Sequence, residues 1–235
     1  NEFAKFPASE YLEHIAEHVE PWSYLKFPYL RKIGWKGFVE GKDSGIYRTA
    51  PLARINASEA MATPLANAEL QKFRETLGRC VHATLATHWA RLIELLQAAE
   101  AMVELANDPE IGSDDLRNRD LGTPGEGVGV VEAPRGTLIH HYISDEKGIA
   151  QKVNLIVGTT HNNAPICMSI KRAAQGLIHK NGEISEGTLN KVEMAFRAYD
   201  PCFGCATHAI GQTPLIVTVY APDGSVVAQG RRDPE

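Results

Sequence analysis

Nine consecutive residues near the C-terminus, Asp200-Pro201-Cys202-Phe203-Gly204-Cys205-Ala206-Thr207-His208, bring together two thiols, a carboxylate and an imidazole. Cys202 and Cys205 stand three apart, so both sulfurs can reach one metal ion or join in one disulfide. On spacing alone the pair is ambiguous, because a zinc half-site, a redox disulfide and an iron–sulfur half-site all use it. A pair without chemistry is equally open. A second stretch, Glu132-Ala133-Pro134-Arg135-Gly136, puts an arginine between Pro and Gly where a strand breaks. Its guanidinium can turn toward a pocket, although by itself the pattern reads as a surface turn.

The elements that must position these residues follow from periodicity. Pro201 fixes its own φ and removes a donor, so a helix is expected to end just before the cysteines. That helix is placed at 188–199, with Leu189, Val192, Met194, Phe196 and Tyr199 mostly inward. A further helix is expected at 164–178, with Cys167 on it as buried packing, and a turn at Lys180-Asn181-Gly182. Between residues 128 and 157 the period shortens to two, giving strands at 128–131, 137–143 and 153–157 in a meander. His140 and His141 are adjacent and must face opposite sides of their strand, so both read as structural. Upstream, Val81, Leu85, Trp89, Leu92, Leu96, Ala99, Val103 and Ala106 recur at helical spacing. They predict a helix of about 26 residues, roughly 40 Å long, buried along that stripe. His82 and His88 lie on it six apart, on different faces, and Cys80 precedes it as a small buried residue. A helix over 65–77 follows Pro64 and stops at Gly78, and an amphipathic helix over 8–20 stops at Pro21. The aromatic, glycine-rich stretch from Trp22 to Gly45 reads as a packed layer with turns rather than a binding box. Residues 108–127 read as a polar surface loop.

Composition narrows the classes. The 235 residues are 43% hydrophobic and 23% charged, ordinary for a globular protein. A net charge of −5 argues against a nucleic-acid partner held through phosphates. No apolar run approaches a membrane span, and the N-terminus lacks the regions of a signal peptide. Four cysteines are too few for a secreted disulfide framework, so a reducing cytoplasm is expected. The first residue is Asn1 rather than Met, which points to a fragment, a split subunit or a processed chain.

Several of these stretches together resemble one family. Arg197-Ala198-Tyr199-Asp200-Pro201-Cys202-Phe203-Gly204-Cys205-Ala206-Thr207-His208 is similar to the DPCxxCxxH signature that closes the large subunit of nickel–iron hydrogenases. Within the family it resembles the cytoplasmic methyl-viologen-reducing, F420-non-reducing group that works with heterodisulfide reductase. Glu132-Ala133-Pro134-Arg135-Gly136-Thr137-Leu138-Ile139-His140 resembles the family's E-A-P-R-G-x-L-x-H. Tyr47 to Asn56 resembles its Y-x-x-x-P-L-A-R-x-N, and Val157-Gly158-Thr159-Thr160 occupies the place of its V-P-S-T, with Gly158 in place of Pro. The resemblance implies an α+β fold, mainly helical with a small antiparallel sheet, and reversible heterolytic oxidation of dihydrogen. It implies a nickel–iron centre whose iron carries one CO and two cyanides. Cys202 would be a terminal nickel ligand and proton acceptor, Cys205 would bridge nickel and iron, and His208 would help hold Mg²⁺ or Fe²⁺. Arg135 would donate to one cyanide, Pro134 would line the same pocket, and the hydroxyl of Thr159 would donate to the other cyanide. Electrons would leave through iron–sulfur clusters of a small subunit. An iron–sulfur electron-transfer subunit with heterodisulfide reductase and a maturation endopeptidase are the further partners implied.

Two features depart from a complete enzyme. The family's other two thiolates come from an N-terminal R-x-C-G-x-C motif, which this chain lacks; Cys80 and Cys167 are isolated. The resemblance runs from about residue 20 to 235 and covers the C-terminal half to two-thirds of a large subunit, with residues 1–208 as that portion proper; either the N-terminal portion is a separate or missing chain, or this chain is a fragment. Residues 209–235 then form an extension, read as a strand over 215–220, a turn at Asp223-Gly224 and a second strand over 226–228. In the family such a tail is removed during maturation; a permanent edge hairpin is the plain alternative. A metal-free or unprocessed fragment with a structural role in an electron-transfer complex is the competing functional reading.

Overall fold

The structure is a computed structural model that describes residues 5–23, 25–41, 43–117, 119, 122–178, 184–203 and 215–232. The chain divides into two compact units, one built from residues 13–48 with 159–235 and the other from residues 2–12 with 49–158.

In the second of these, three helices carry the core. Helix α2 (Pro51–Ala57) and α3 (Pro64–Leu77) both begin on a proline, whose fixed φ suits the first helical turn and whose missing N–H costs nothing there. Gly78, at φ 83°, ends α3. Helix α4 (Ala86–Ala106) packs against both. Leu52, Ile55, Leu70, Phe73, Ala90 and Ile93 form their shared interior, and Trp89 packs on Phe73 while donating its indole N–H to Glu69 at 3.0 Å. Glu100 of α4 reaches across to the open end of α3, accepting from the N–H groups of Leu65 (3.0 Å) and Ala66 (2.9 Å) and from the Thr63 hydroxyl (2.7 Å). The stripe expected along this helix is buried only in part, with Val81 in the core and Trp89 and Leu96 packed against it. Ala86, Thr87, Ala90 and Ile93 face inward, whereas Leu85, Leu92, Leu95, Met102, Val103 and Leu105 are exposed. The helix also begins five residues later than the periodicity implied, and His82 lies before it. Apolar residues occupy nearly every side of α4, so spacing alone cannot select the inner face.

The meander is present as expected. Strands β3 (Glu126–Ala133), β4 (Gly136–Ser144) and β5 (Ala150–Ile156) form an antiparallel sheet in that order. His141 is buried on β4. Its Nδ1 meets the Tyr11 hydroxyl at 3.0 Å and its Nε2 meets Glu126 at 2.9 Å, while Asn154 donates to the Tyr11 oxygen at 2.8 Å. This fastens the N-terminal segment to the sheet.

The helix expected over 8–20 is cut short. Helix α1 (Tyr11–His14) gives way to strand β1 (Ile15–Val19), which pairs with β2 (Lys26–Leu30). Branched Ile15 and Val19 favour the pleat, and the pairing sets His18 opposite the fully buried Phe27. Pro28 is tolerated because a two-stranded sheet has a free edge at each strand. Rings of Trp22, Phe27, Trp35 and Phe38 lie 5.1–6.0 Å apart, the packed layer that the composition implied. Three helices follow: α5 (Gly158–His161), α6 (Asn163–Leu177) and α7 (Glu186–Arg197). Met194 of α7 is exposed rather than inward. The tail forms the expected hairpin of β6 (Leu215–Tyr220) and β7 (Val226–Arg232). Gly230 of β7 is buried with Ile184 and Leu189 filling the space a Cβ would take, so the hairpin lies against the start of α7.

Candidate functional site

The segment that delivers Cys202 is fixed from both ends. Ser185 caps α7 by accepting from the Thr188 N–H, and Leu189 and Val192 bury one face. After Arg197 the chain turns sharply: the Asp200 N–H returns to the Arg197 carbonyl at 2.9 Å with Asp200 at φ 51°. Aspartate is among the few residues that adopt this left-handed conformation readily. Pro201 then prevents the helix from resuming. Tyr199, buried, shares a hydrogen bond with Ser169 of α6 at 3.0 Å, and Phe203 packs edge-on against Phe196. Beyond it, Thr159 of α5 accepts the backbone N–H of Cys202 at 3.0 Å. Cys80 and Cys167 are free thiols.

Thr159 opens a run of five buried polar residues, Thr159, Thr160, His161, Asn162 and Asn163, each no more than 5% exposed. Burying so many polar groups is costly unless each is satisfied. His161 Nδ1 meets the Tyr47 hydroxyl at 2.5 Å, and Asn163 donates to the Lys26 carbonyl at 2.8 Å. Burial first, and then the negative charge of Glu17, push the Tyr47 phenol up, so it stays protonated. Neither Tyr47 nor His161 stands out in the sequence as a functional residue. The one available signal is an unbroken polar run between an apolar strand and an apolar helix.

In the other unit, Pro134 and Arg135 sit on the turn between β3 and β4, held by Arg54 of α2. The Arg54 guanidinium donates to both Glu94 oxygens, at 2.6 and 2.7 Å, to Glu132 at 2.9 Å, and to the carbonyls of Ala133 (2.9 Å) and Pro134 (3.1 Å). Burial alone would lower the Arg54 pKa, but the hydrogen bonds and charges of Glu94 and Glu132 outweigh it and raise it. The residue after Arg135 must be glycine. Gly136 is at φ 134°, and a Cβ there would come within 2.3 Å of the Thr49 hydroxyl and 2.9 Å of the Gly158 carbonyl. Gly158 is equally confined, since its own Cβ would lie 3.1 Å from the backbone of Arg135 and Gly136. The glycine that replaces proline there is a close-packed contact rather than a loosening of the loop.

Of the residues implicated by sequence, Thr159 and Cys202 are brought together in one unit, and Pro134 and Arg135 are fixed in the other. Cys205, His208 and the turn at 180–182 lie outside the described residues. Among the described residues no three His, Cys, Asp or Glu side chains gather as a metal cage. Cys167, half-buried on α6, has its thiol pushed up by burial, the opposite of what a ligating or reactive cysteine needs. Cys80 sits at φ 60° before Val81. The donor chemistry therefore fits half of a soft-metal site: two thiols three apart, without a second pair in this chain.

Residues 45–208 match the family model described as nickel-dependent hydrogenase. The chain is 52% identical over 229 residues to an F420-non-reducing hydrogenase iron-sulfur subunit of Archaeoglobus profundus, covering 97% of this chain and 47% of that protein. It is 45% identical over 235 residues to the NAD-reducing hydrogenase HoxS subunit beta of Cupriavidus necator, covering 97% and 46%. The crystal structure of an NAD⁺-reducing [NiFe]-hydrogenase in the H₂-reduced state superimposes with a TM-score of 0.78 at 41% identity, over 86% of this chain and 43% of that one. The chain spans about half the length of the curated relatives it matches. A matched family model across the middle of the chain, high identity along nearly all of it and a shared fold make this chain a member of the nickel-dependent hydrogenase family.

Proposed function

We propose that this chain is the C-terminal part of the catalytic subunit of a nickel–iron hydrogenase, which oxidises H₂ reversibly to protons and electrons. The observation that carries the reading is the buried hydroxyl of Thr159 bonded to the N–H of Cys202 at 3.0 Å, in a chain belonging to this family. When bound, a nickel–iron centre with CO and cyanide ligands supplies the soft, redox-active metal pair on which dihydrogen is cleaved. Cys202 would hold nickel and Cys205 would hold nickel and iron, both as thiolates, and the remaining two thiolates would come from the N-terminal part of the large subunit. The thiolate of Cys202 takes up the proton at Sγ. Arg135, rigid and permanently charged, donates to one cyanide beside Pro134. Thr159 accepts from the Cys202 N–H and still has its own O–H hydrogen to donate to the other cyanide. His208 helps hold Mg²⁺ or Fe²⁺.

Residues 1–208 belong to the mature protein in this account, and a maturation endopeptidase removes residues 209–235. Electrons pass to iron–sulfur clusters of a small subunit, then through a further iron–sulfur protein to heterodisulfide reductase in the cytoplasm. The exposed Leu92, Leu95, Met102 and Val103 on α4 support a chain that is covered by another polypeptide in its working assembly. The second reading is an unprocessed, metal-free large-subunit fragment with a structural role; the tail hairpin lying against α7 favours it. The assembled complex with all its subunits separates the two. Cys205→Ser is expected to abolish nickel retention measured by metal analysis, whereas wild-type nickel content in that variant contradicts the metal assignment.

A further inference from the structure

The turn that carries Arg135 is held by a side chain the proposed chemistry does not otherwise use. A guanidinium has five N–H hydrogens, and at Arg54 all five are engaged. One edge grips both oxygens of Glu94 on α4, which fixes the plane of the fork. The other N–H groups take the Glu132 carboxylate and the carbonyls of Ala133 and Pro134, three consecutive residues leading directly into Arg135. Glu132 is itself steadied by the Thr137 hydroxyl on the far side of the turn. Beyond Arg135 the chain is clamped again, because Thr49 and Gly158 fill the space around Gly136. Arg135 thus stands between two fixed points, one set by a helix-anchored arginine and the other by tight backbone packing.

The structure assigns Arg54, working with Glu94, as the positioning residue for Arg135: its fork sets the direction in which the Arg135 side chain leaves the turn. This rests on the function proposed above, in which Arg135 acts on the metal centre. Lysine at position 54 keeps the positive charge but cannot hold a carboxylate bidentately and two carbonyls at once. A turn released by even a small amount re-aims a long side chain, and misplacement of about 1 Å is enough to cost turnover heavily.

The test uses the assembled complex, with wild type, Arg54→Lys, Arg135→Lys and the double variant compared. Readouts are amide hydrogen exchange over residues 132–136, nickel content, the infrared cyanide bands, and kcat and KM for H₂ oxidation. Arg54→Lys is expected to speed exchange in the turn, to shift the cyanide bands at unchanged nickel content, and to lower kcat about 10- to 100-fold with little change in KM. Because it acts through Arg135, it adds no further loss when Arg135 is already lysine. An equal loss in both backgrounds, or unchanged exchange and bands in the single variant, overturns the assignment. If Arg54→Lys does not assemble, Glu94→Gln takes its place in the same comparison and the same additivity result decides. A wild-type complex without cyanide bands defeats the proposed function instead, while the exchange data still report whether Arg54 holds the turn.

Discussion

A threonine hydroxyl carries one hydrogen and two lone pairs, and Thr159 uses a lone pair to hold the backbone of Cys202 at 3.0 Å while buried to 3% exposure. Removing that acceptor leaves an amide N–H unpaired in the interior, a loss of about 1–3 kcal/mol. Thr159→Val is therefore expected to lower the unfolding midpoint of the chain, and Thr159→Ser to keep it, as measured by thermal denaturation. Equal midpoints for the valine and serine variants would remove the hydrogen bond from the account. Thr159, Arg135 and the cysteines stand out in the sequence because each sits inside a short motif whose chemistry is local. Arg54, Tyr47 and His161 do not. The acceptors of Arg54 lie 40 to 80 positions along the chain, and the hydroxyl and ring of the Tyr47–His161 pair are 114 apart. Local patterning carries no record of such pairings.

Among the elements, α3 and α4 show how one side chain joins two helices. The first N–H groups of a helix lack partners within it, and Glu100 supplies acceptors for two of them from a neighbouring helix. What little burial there is would raise the Glu100 carboxyl, but the hydrogen bonds from Thr63, Leu65 and Ala66 prevail and hold it below its ordinary value of 4.5. A carboxyl with a depressed folded-state pKa contributes stability that is complete above its unfolded value and lost as pH falls through the folded one. Acidification below 4.5 is thus expected to cost wild type more stability than Glu100→Gln, narrowing the gap between them in denaturant titrations at successive pH values. A gap independent of pH would refute the cap. The bounds of α3 and the order of the meander were legible because Pro64, Gly78 and the alternation at 137–143 are strong punctuation. The helix expected over 8–20 was misread because Ile15 and Val19 suit either period, and the pairing strand that decides between them begins only at Lys26. The inner face of α4 was misread for a related reason: a helix apolar on most sides is sorted by its neighbours, and the neighbours are distant in sequence.

At the scale of the molecule, the residues singled out for the proposed site are divided between two compact units. Cys202 and Thr159 belong to the one, Pro134 and Arg135 to the other, and Gly158 directly precedes Thr159 where the chain passes between units. The chain spans about half the length of the curated relatives it matches, and Cys202 and Cys205 are its one pair of cysteines three apart in sequence. Among the described residues no helix is long and apolar enough to cross a membrane. Leu92, Leu95, Met102 and Val103 on α4 are exposed apolar side chains. The central claim is that Cys202 and Cys205 hold a nickel–iron pair once the proposed assembly is complete. Infrared spectroscopy of the matured complex, with nickel and iron measured on the same sample, tests it most directly. The account predicts one CO band and two cyanide bands with one nickel bound per complex. A fully assembled, matured complex that lacks those bands and holds no nickel, or holds zinc alone, contradicts it.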